Sequence, residues 1–143
     1  MSDAVIVVDA SLAIRAVIAL TGPDALDHVV RWRMEDRQLA APDLWVAETA
    51  SAVRRLVFDR LLTTEEGLMA IDDLFALGVA IVPTTLALAQ AALQWAARLQ
   101  QSKAYDSLYL AVADHLDAEL WTADRRLAER VRQVGSRRVH CVG

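Results

Sequence analysis

The sequence predicts an α/β layered fold with a parallel sheet, on three observations. Val5-Ile6-Val7-Val8 is an unbroken β-branched run, the pattern of a strand buried on both faces rather than one. Further short apolar segments at 79–82 and 119–122 are separated by longer helical stretches, and alternating strands and helices build parallel sheets with right-handed crossovers. Chain breakers stand between the segments: Gly22-Pro23, Gly78, Pro83 and Gly135.

Each element has its own warrant. Residues 4–8 form the first strand, and Asp9-Ala10-Ser11 starts a helix through about Leu20. Gly22-Pro23-Asp24 breaks the chain before an amphipathic helix over 24–36. Leu39-Ala40-Ala41 is a short apolar segment ended by Pro42, and Asp43 caps a helix reaching about Arg60. Thr63-Thr64-Glu65-Glu66 opens the next helix with an acidic first turn, and Gly78 stops it after Leu77. Val79–Val82 is a strand. Residues 85–101 are rich in Ala, Leu and Gln and read as helix. Ala104-Tyr105-Asp106 opens a helix to about Leu116, Glu119–Thr122 is a strand, and 124–134 is a helix. Val139–Val142 reads as a last, edge strand.

The bulk numbers fit one domain over 1–143. With 55% hydrophobic and 24% charged residues, the chain can bury a sizeable core and is not disordered. A net charge of -4 excludes a general nucleic-acid coat, which would be basic. It leaves room for a nuclease, whose metal-binding acids count against the total. Cys141 is the only cysteine, so no internal disulfide can form and a reducing, cytoplasmic setting is expected. Met1-Ser2-Asp3 lacks the basic start of a signal peptide, and Asp9 and Arg15 interrupt the apolar stretch after it. No run reaches the roughly 18 apolar residues of a membrane span.

Four acids stand out. Asp9 directly follows the first strand, Asp124 follows Leu120-Trp121 closely, Asp106 opens a helix, and Glu48 lies inside another. Ligands of open parallel sheets bind beyond the carboxyl ends of the strands, so the three Asp positions can converge on one rim. Taken singly, each Asp also suits a helix N-cap, and Glu48 suits a solvated surface. Taken together they repel. Two carboxylates about 4 Å apart cost roughly 4 kcal/mol at an effective dielectric near 20. A divalent cation relieves that cost, and Mg²⁺ or Mn²⁺ suits an all-oxygen site. Zinc suits it less: His28, His115 and His140 lack paired spacing, and Cys141 stands alone. A metal-dependent phosphodiesterase is the leading reading.

At these residues the chain resembles PIN-domain proteins, and more narrowly the VapC-type toxin ribonucleases. Four blocks carry the resemblance in order: Val7-Val8-Asp9-Ala10-Ser11; Ala41-Pro42-Asp43-Leu44 leading to Glu48-Thr49-Ala50; Tyr105-Asp106-Ser107-Leu108-Tyr109-Leu110-Ala111; and Leu120-Trp121-Thr122-Ala123-Asp124-Arg125-Arg126-Leu127. The resemblance implies a three-layer α/β/α sandwich around a parallel sheet. It implies Mg²⁺- or Mn²⁺-dependent endoribonuclease activity, giving 5′-phosphate and 3′-hydroxyl ends. It also implies a cognate VapB-type antitoxin and a homodimer. On it, Asp9 and Asp106 are direct metal ligands, Glu48 and Asp124 complete the shell, and Ser11 and Thr122 orient an acid or a metal-bound water.

Fourteen of the 15 basic residues are Arg, whose rigid fork suits phosphates. Arg125 and Arg126, with Arg130, Arg132, Arg137 and Arg138 beyond them, crowd the segment after Asp124, while Arg54 and Arg55 share the Glu48 helix. They are candidate RNA contacts; the competing reading is a solvated helix face. Trp32, Trp45, Trp95 and Trp121 are candidates for base stacking, although Trp45 and Trp121 sit among apolar residues and read better as core. The apolar faces of 24–36 and 43–60 suit either a partner helix or the sheet.

Rival folds fail on particular residues. A receiver domain needs an acidic pair after the first strand and an Asp after the middle one, where this chain has Asp9 alone and Pro83-Thr84-Thr85. A haloacid-dehalogenase-type phosphatase needs Asp-x-Asp, and Asp9-Ala10-Ser11 lacks the second carboxylate. No glycine-rich phosphate loop is present. Two rivals stay open: a catalytically silent PIN-like RNA- or protein-binding module, and a solitary RNA-processing nuclease without an antitoxin.

Overall fold

A computed structural model describes residues 4–18, 20 and 22–143. The elements run β1 (Val5–Val8), α1 (Ala10–Val17), α2 (Asp24–Met34), β2 (Gln38–Pro42), α3 (Leu44–Phe58), α4 (Thr64–Ala76), β3 (Ala80–Val82), α5 (Leu86–Arg98), α6 (Tyr105–His115), β4 (Glu119–Thr122), α7 (Arg125–Gln133) and β5 (Val139–Cys141). The strands form one five-stranded sheet in the order β3-β2-β1-β4-β5. Every pairing is parallel, with Val7 beside Ala40 on one side and Leu120 on the other.

Strand alternation divides the core between the two faces of the sheet. Ile6, Val8 and Leu39 pack with Ala25, Val29 and Trp32 of α2 and with Leu12 and Ala16 of α1. Val7, Ala41, Leu120 and Val139 join the larger cluster on the other face, which includes Trp95 of α5, Tyr109 to Ala113 of α6, and Leu127 and Val131 of α7. Both faces are therefore covered by helices, the three-layer arrangement an all-parallel sheet requires.

Several boundaries differ from expectation. The segment 39–41 is a full strand, β2, because β1 and β3 flank it and hydrogen-bond to it on both sides. α1 stops at Val17 rather than Leu20; Ala19 and Thr21, and the N-terminal Met1-Ser2-Asp3, lie outside the described residues. α2 and α3 end two residues early, and Asp36 and Arg60 just beyond them take left-handed φ values of 57° and 62°. Asp43 does not cap α3 through its side chain. Its carboxylate instead accepts hydrogen bonds from the Thr84 backbone N–H (3.0 Å) and hydroxyl (2.6 Å), fastening α3 to the segment after β3. Thr63 and Glu66, by contrast, form a reciprocal capping box on α4.

The strand order places the site. The chain runs outward from β1 through β2 to β3, then returns to lay β4 against the other side of β1. The carboxyl ends of β1 and β4 therefore flank a switch point, where the connecting segments depart in opposite directions and leave a crevice.

Candidate active site

Asp9 begins α1 immediately after β1, and Thr122 is the last residue of β4, so the switch point brings them together. Asp9 is 8% exposed and Thr122 is fully buried. Asp9 Oδ2 accepts from Thr122 Oγ1 at 2.5 Å and from Ser11 Oγ at 3.0 Å. The same two hydroxyl oxygens accept from the next loop: Thr122 Oγ1 from Asp124 N (2.9 Å) and Ser11 Oγ from Ala123 N (3.0 Å). Both hydroxyls thus bond Asp9 and lie 3.2 Å from each other, and each hydroxyl oxygen holds the β4–α7 turn. Ser11 and Thr122, the supporting residues expected from the sequence, thus both contact Asp9. Burial raises the Asp9 carboxyl above its ordinary range, the two hydroxyls pull it down, and the Asp124 charge raises it further.

Asp124 caps α7, its Oδ1 accepting from Arg126 N (3.0 Å) and Leu127 N (3.3 Å). The N-cap reading therefore holds for Asp124 and also for Asp9, whose Oδ1 takes the Ser11 N–H at 3.5 Å. It fails for Asp106, which sits in the first turn of α6 beyond the N-cap Ala104. Burial raises Asp106, and the charges of Asp9 and Asp124 raise it further. The Gln101 side chain and the Arg130 guanidinium lower it.

Glu48 projects from α3 and is half-buried, so it is not the solvated surface acid of the alternative reading. Its Oε1 accepts from the Tyr109 hydroxyl at 2.6 Å. Burial raises Glu48, the Tyr109 hydrogen bond lowers it, and Asp9 and Asp106 raise it again. Burial and the neighbouring Asp9 and Glu48 charges hold the Tyr109 phenol protonated, far above its ordinary range.

The acids are thus electrostatically linked: Asp124 raises Asp9, Asp9 and Asp106 raise Glu48, and Asp9 and Asp124 raise Asp106. Among the described residues, however, no three acid, imidazole or thiol side chains form a group closed enough to hold a metal ion as they stand. A cavity of about 410 Å³ opens beside Glu48 and Asp106, which line it together with Lys103, Tyr105 and Arg130.

The PIN-domain family profile matches residues 6–133. The chain belongs to the PIN-domain family. It is 35% identical to Ribonuclease VapC1 of Mycobacterium tuberculosis over 122 residues, covering 85% of this chain and 87% of that protein. Its fold is similar to that in the crystal structure of VapBC2 from Rickettsia felis bound to a promoter DNA fragment, with a TM-score of 0.70, 12% identity, and 97% and 99% of the two chains covered. It is also similar to a toxin–antitoxin complex from Klebsiella pneumoniae, with a TM-score of 0.65, 16% identity, and 94% of each chain covered. PIN-domain ribonucleases depend in general on a divalent metal. The donor set here suits one: three Asp and one Glu offer only hard oxygen ligands.

The expected RNA contacts fare unevenly. Arg55 closes an ion pair with Asp59 at 2.9 Å, Arg54 lies over the Phe58 ring at 5.5 Å, and Arg125 donates to the Gly143 carbonyl. Arg138 bridges Asp114 and Asp117. Only Arg130 of the arginines expected to contact RNA lines the cavity at the acids. Trp32, Trp45 and Trp95 are buried in the core, so base stacking is excluded for them, and Trp121 packs among His28, Trp32 and His140. The apolar faces of α2 and α3 turn inward, through Val29 and Trp32 on one and Trp45 and Val53 on the other.

Tyr109 was not singled out from the sequence. It follows Asp106 by three residues, a spacing that puts both on one helix face, and that spacing is the signal that finds it.

Proposed function

We propose that this protein is a divalent-metal-dependent endoribonuclease, the toxin of a type II toxin–antitoxin pair. The observation that carries the reading is the linkage of Asp9, Glu48, Asp106 and Asp124 near the switch point of the sheet, where Asp124 acts on Asp9 and Asp106, and Asp9 and Asp106 act on Glu48. The relationship to Ribonuclease VapC1 supports RNA as substrate. The whole chain, 1–143, acts as one domain in the cytoplasm. No helix of the described residues is long and apolar enough to cross a membrane.

Mg²⁺ or Mn²⁺ is the ion, with Asp9 and Asp106 as direct ligands and Glu48 and Asp124 completing the shell, directly or through water. When bound, such an ion supplies an activated water and neutralises charge on the scissile phosphate. The chain's own residues prepare for it. Ser11 and Thr122 keep Asp9 Oδ2 fixed and ionisable within a buried setting. Tyr109 turns Glu48 toward the other acids and keeps one of its oxygens occupied. The β4–α7 turn, tied to the same hydroxyls, fixes Asp124.

A VapB-type antitoxin is the partner, and the protein forms a homodimer. Large apolar side chains left exposed, Leu68, Met69 and Phe75 on α4 and Leu86 and Leu93 on α5, offer surface that such partners would cover.

The test is Asp9→Asn. It keeps the N-cap and the packing but removes one ligand charge. RNA cleavage in Mg²⁺ should disappear while the folded content and melting profile persist. Full activity in that variant removes the assignment. A wild-type protein that binds RNA without cutting it would leave a silent binding module.

A further inference from the structure

The cavity at the acids does not end at its charged wall. Lys103 and Tyr105, which line it, also line a second, mostly apolar cavity of about 590 Å³ between α3, α5 and α6. Leu44, Ala92 and Leu108 form its walls, and Asp43 and Thr84 stand at its polar end. Tyr105 is 57% exposed although it immediately precedes the buried-side acid Asp106. An aromatic ring half in solvent, beside two adjoining cavities, is not serving the core.

Two acids and two cations share the first cavity, and Lys103 and Tyr105 lead on from it into an apolar recess with an aromatic rim. A nucleotide chain presents the complementary order: a phosphate at the acids, a neighbouring phosphate that wants a cation, and a flat base that wants a π-face. We propose that Lys103, Arg130 and Tyr105 form a subsite for one unpaired nucleotide next to the scissile bond. Its phosphate lies against Lys103 and Arg130, and its base stacks on Tyr105 over the apolar recess. The inference rests on the ribonuclease reading and adds to it the residues that hold the nucleotide beside the scissile bond. A base held in a duplex cannot turn out onto Tyr105 without unstacking. The position of Arg130 fits the role, since it lines the same 410 Å³ cavity as Asp106 and Lys103. The arginines on α3 that would compete for the phosphate are engaged with Asp59 and Phe58.

The experiment is a fluorescence-anisotropy titration of a labelled mixed-sequence oligoribonucleotide, single-stranded and in duplex. It is run in chelator, so that binding is read without cleavage. Tyr105→Ala should weaken single-strand binding about tenfold, the order expected for one base–aromatic stack, and Tyr105→Phe should not. Arg130→Gln and Lys103→Gln should each weaken it and lower the slope against log salt by about 0.7. Mn²⁺ affinity, measured by calorimetry, should be unchanged in Tyr105→Ala and not weakened in Arg130→Gln; a structural lesion would weaken both ligands. Wild-type binding that Tyr105→Ala leaves intact overturns the subsite alone. So does a duplex that binds as well as the single strand. A wild-type protein that neither binds nor cleaves RNA overturns the ribonuclease reading as well.

Discussion

Tyr109 and Glu48 share a 2.6 Å hydrogen bond between α6 and α3, and no other partner is needed to explain why Glu48 faces the acids. Groups that orient a metal-binding carboxylate typically matter by 10- to 100-fold in metal affinity. Tyr109→Phe, which removes one oxygen and keeps the buried ring, should therefore weaken Mn²⁺ binding about tenfold by calorimetry. Unchanged affinity would reduce Tyr109 to a packing residue. The acids themselves were legible because their types and positions announce them: two after strands, one in a first turn, one among helical neighbours. Their supporting cast was less so. Ser11 and Thr122 were visible as near neighbours of Asp9 and Asp124, but the shared use of both hydroxyls by Asp9 and the β4–α7 turn depends on β1 and β4 lying side by side. The local partners of the arginines were equally out of view. Arg55 lies seven residues after Glu48, near the same helix face, yet Asp59 one turn further on captures its guanidinium.

At the scale of elements, α4 lies against α3 where Gly67 meets Val57. A Cβ on Gly67 would stand 2.7 Å from Val57 Cγ2, a contact that a β-branched side chain cannot easily relieve. Gly67→Ala should therefore destabilise the protein, by about 1 kcal/mol after the gain in helix propensity is offset, as read by chemical denaturation. A stabilised variant would show that the two helices can separate slightly at no cost. Helix starts were readable wherever a side chain caps: Asp9, Thr63 and Asp124 all do. Asp43 has the same appearance in sequence but spends its carboxylate on Thr84, a partner 41 positions away. β2 was not recognised as a strand because three apolar residues before a proline carry little local signal; its identity comes from β1 and β3 on either side.

For the whole molecule, the electrostatics of the linked acids set a pH dependence. Asp9, Glu48 and Asp106 all have raised pKa values in the folded state, chiefly through burial. The folded protein then binds protons more tightly than the unfolded chain, so these groups make metal-free stability fall as pH rises. The loss begins above their ordinary values, 3.8 for Asp and 4.5 for Glu, and is complete once pH exceeds the raised folded values. Metal-free protein should accordingly melt higher at about pH 5.5 than at about pH 7.5, and Asp106→Asn should flatten that difference. A melting temperature that rises with pH would contradict the picture of crowded, unneutralised carboxylates. The fold class was legible in the alternation of strands and helices. The strand order was not, because nothing local in the segments 38–42 and 119–122 says which will lie beside β1. That order is what creates the crevice and gathers acids separated by more than a hundred residues.

Asp9, Glu48, Asp106 and Asp124 should together form one seat for a divalent cation. Calorimetric titration of the protein with Mn²⁺ at neutral pH tests it most directly. Wild type should give a saturable binding isotherm, and Asp106→Asn, still folded, should lose at least tenfold in affinity. No saturable binding by wild type, or equal affinity in the variant, would contradict the account.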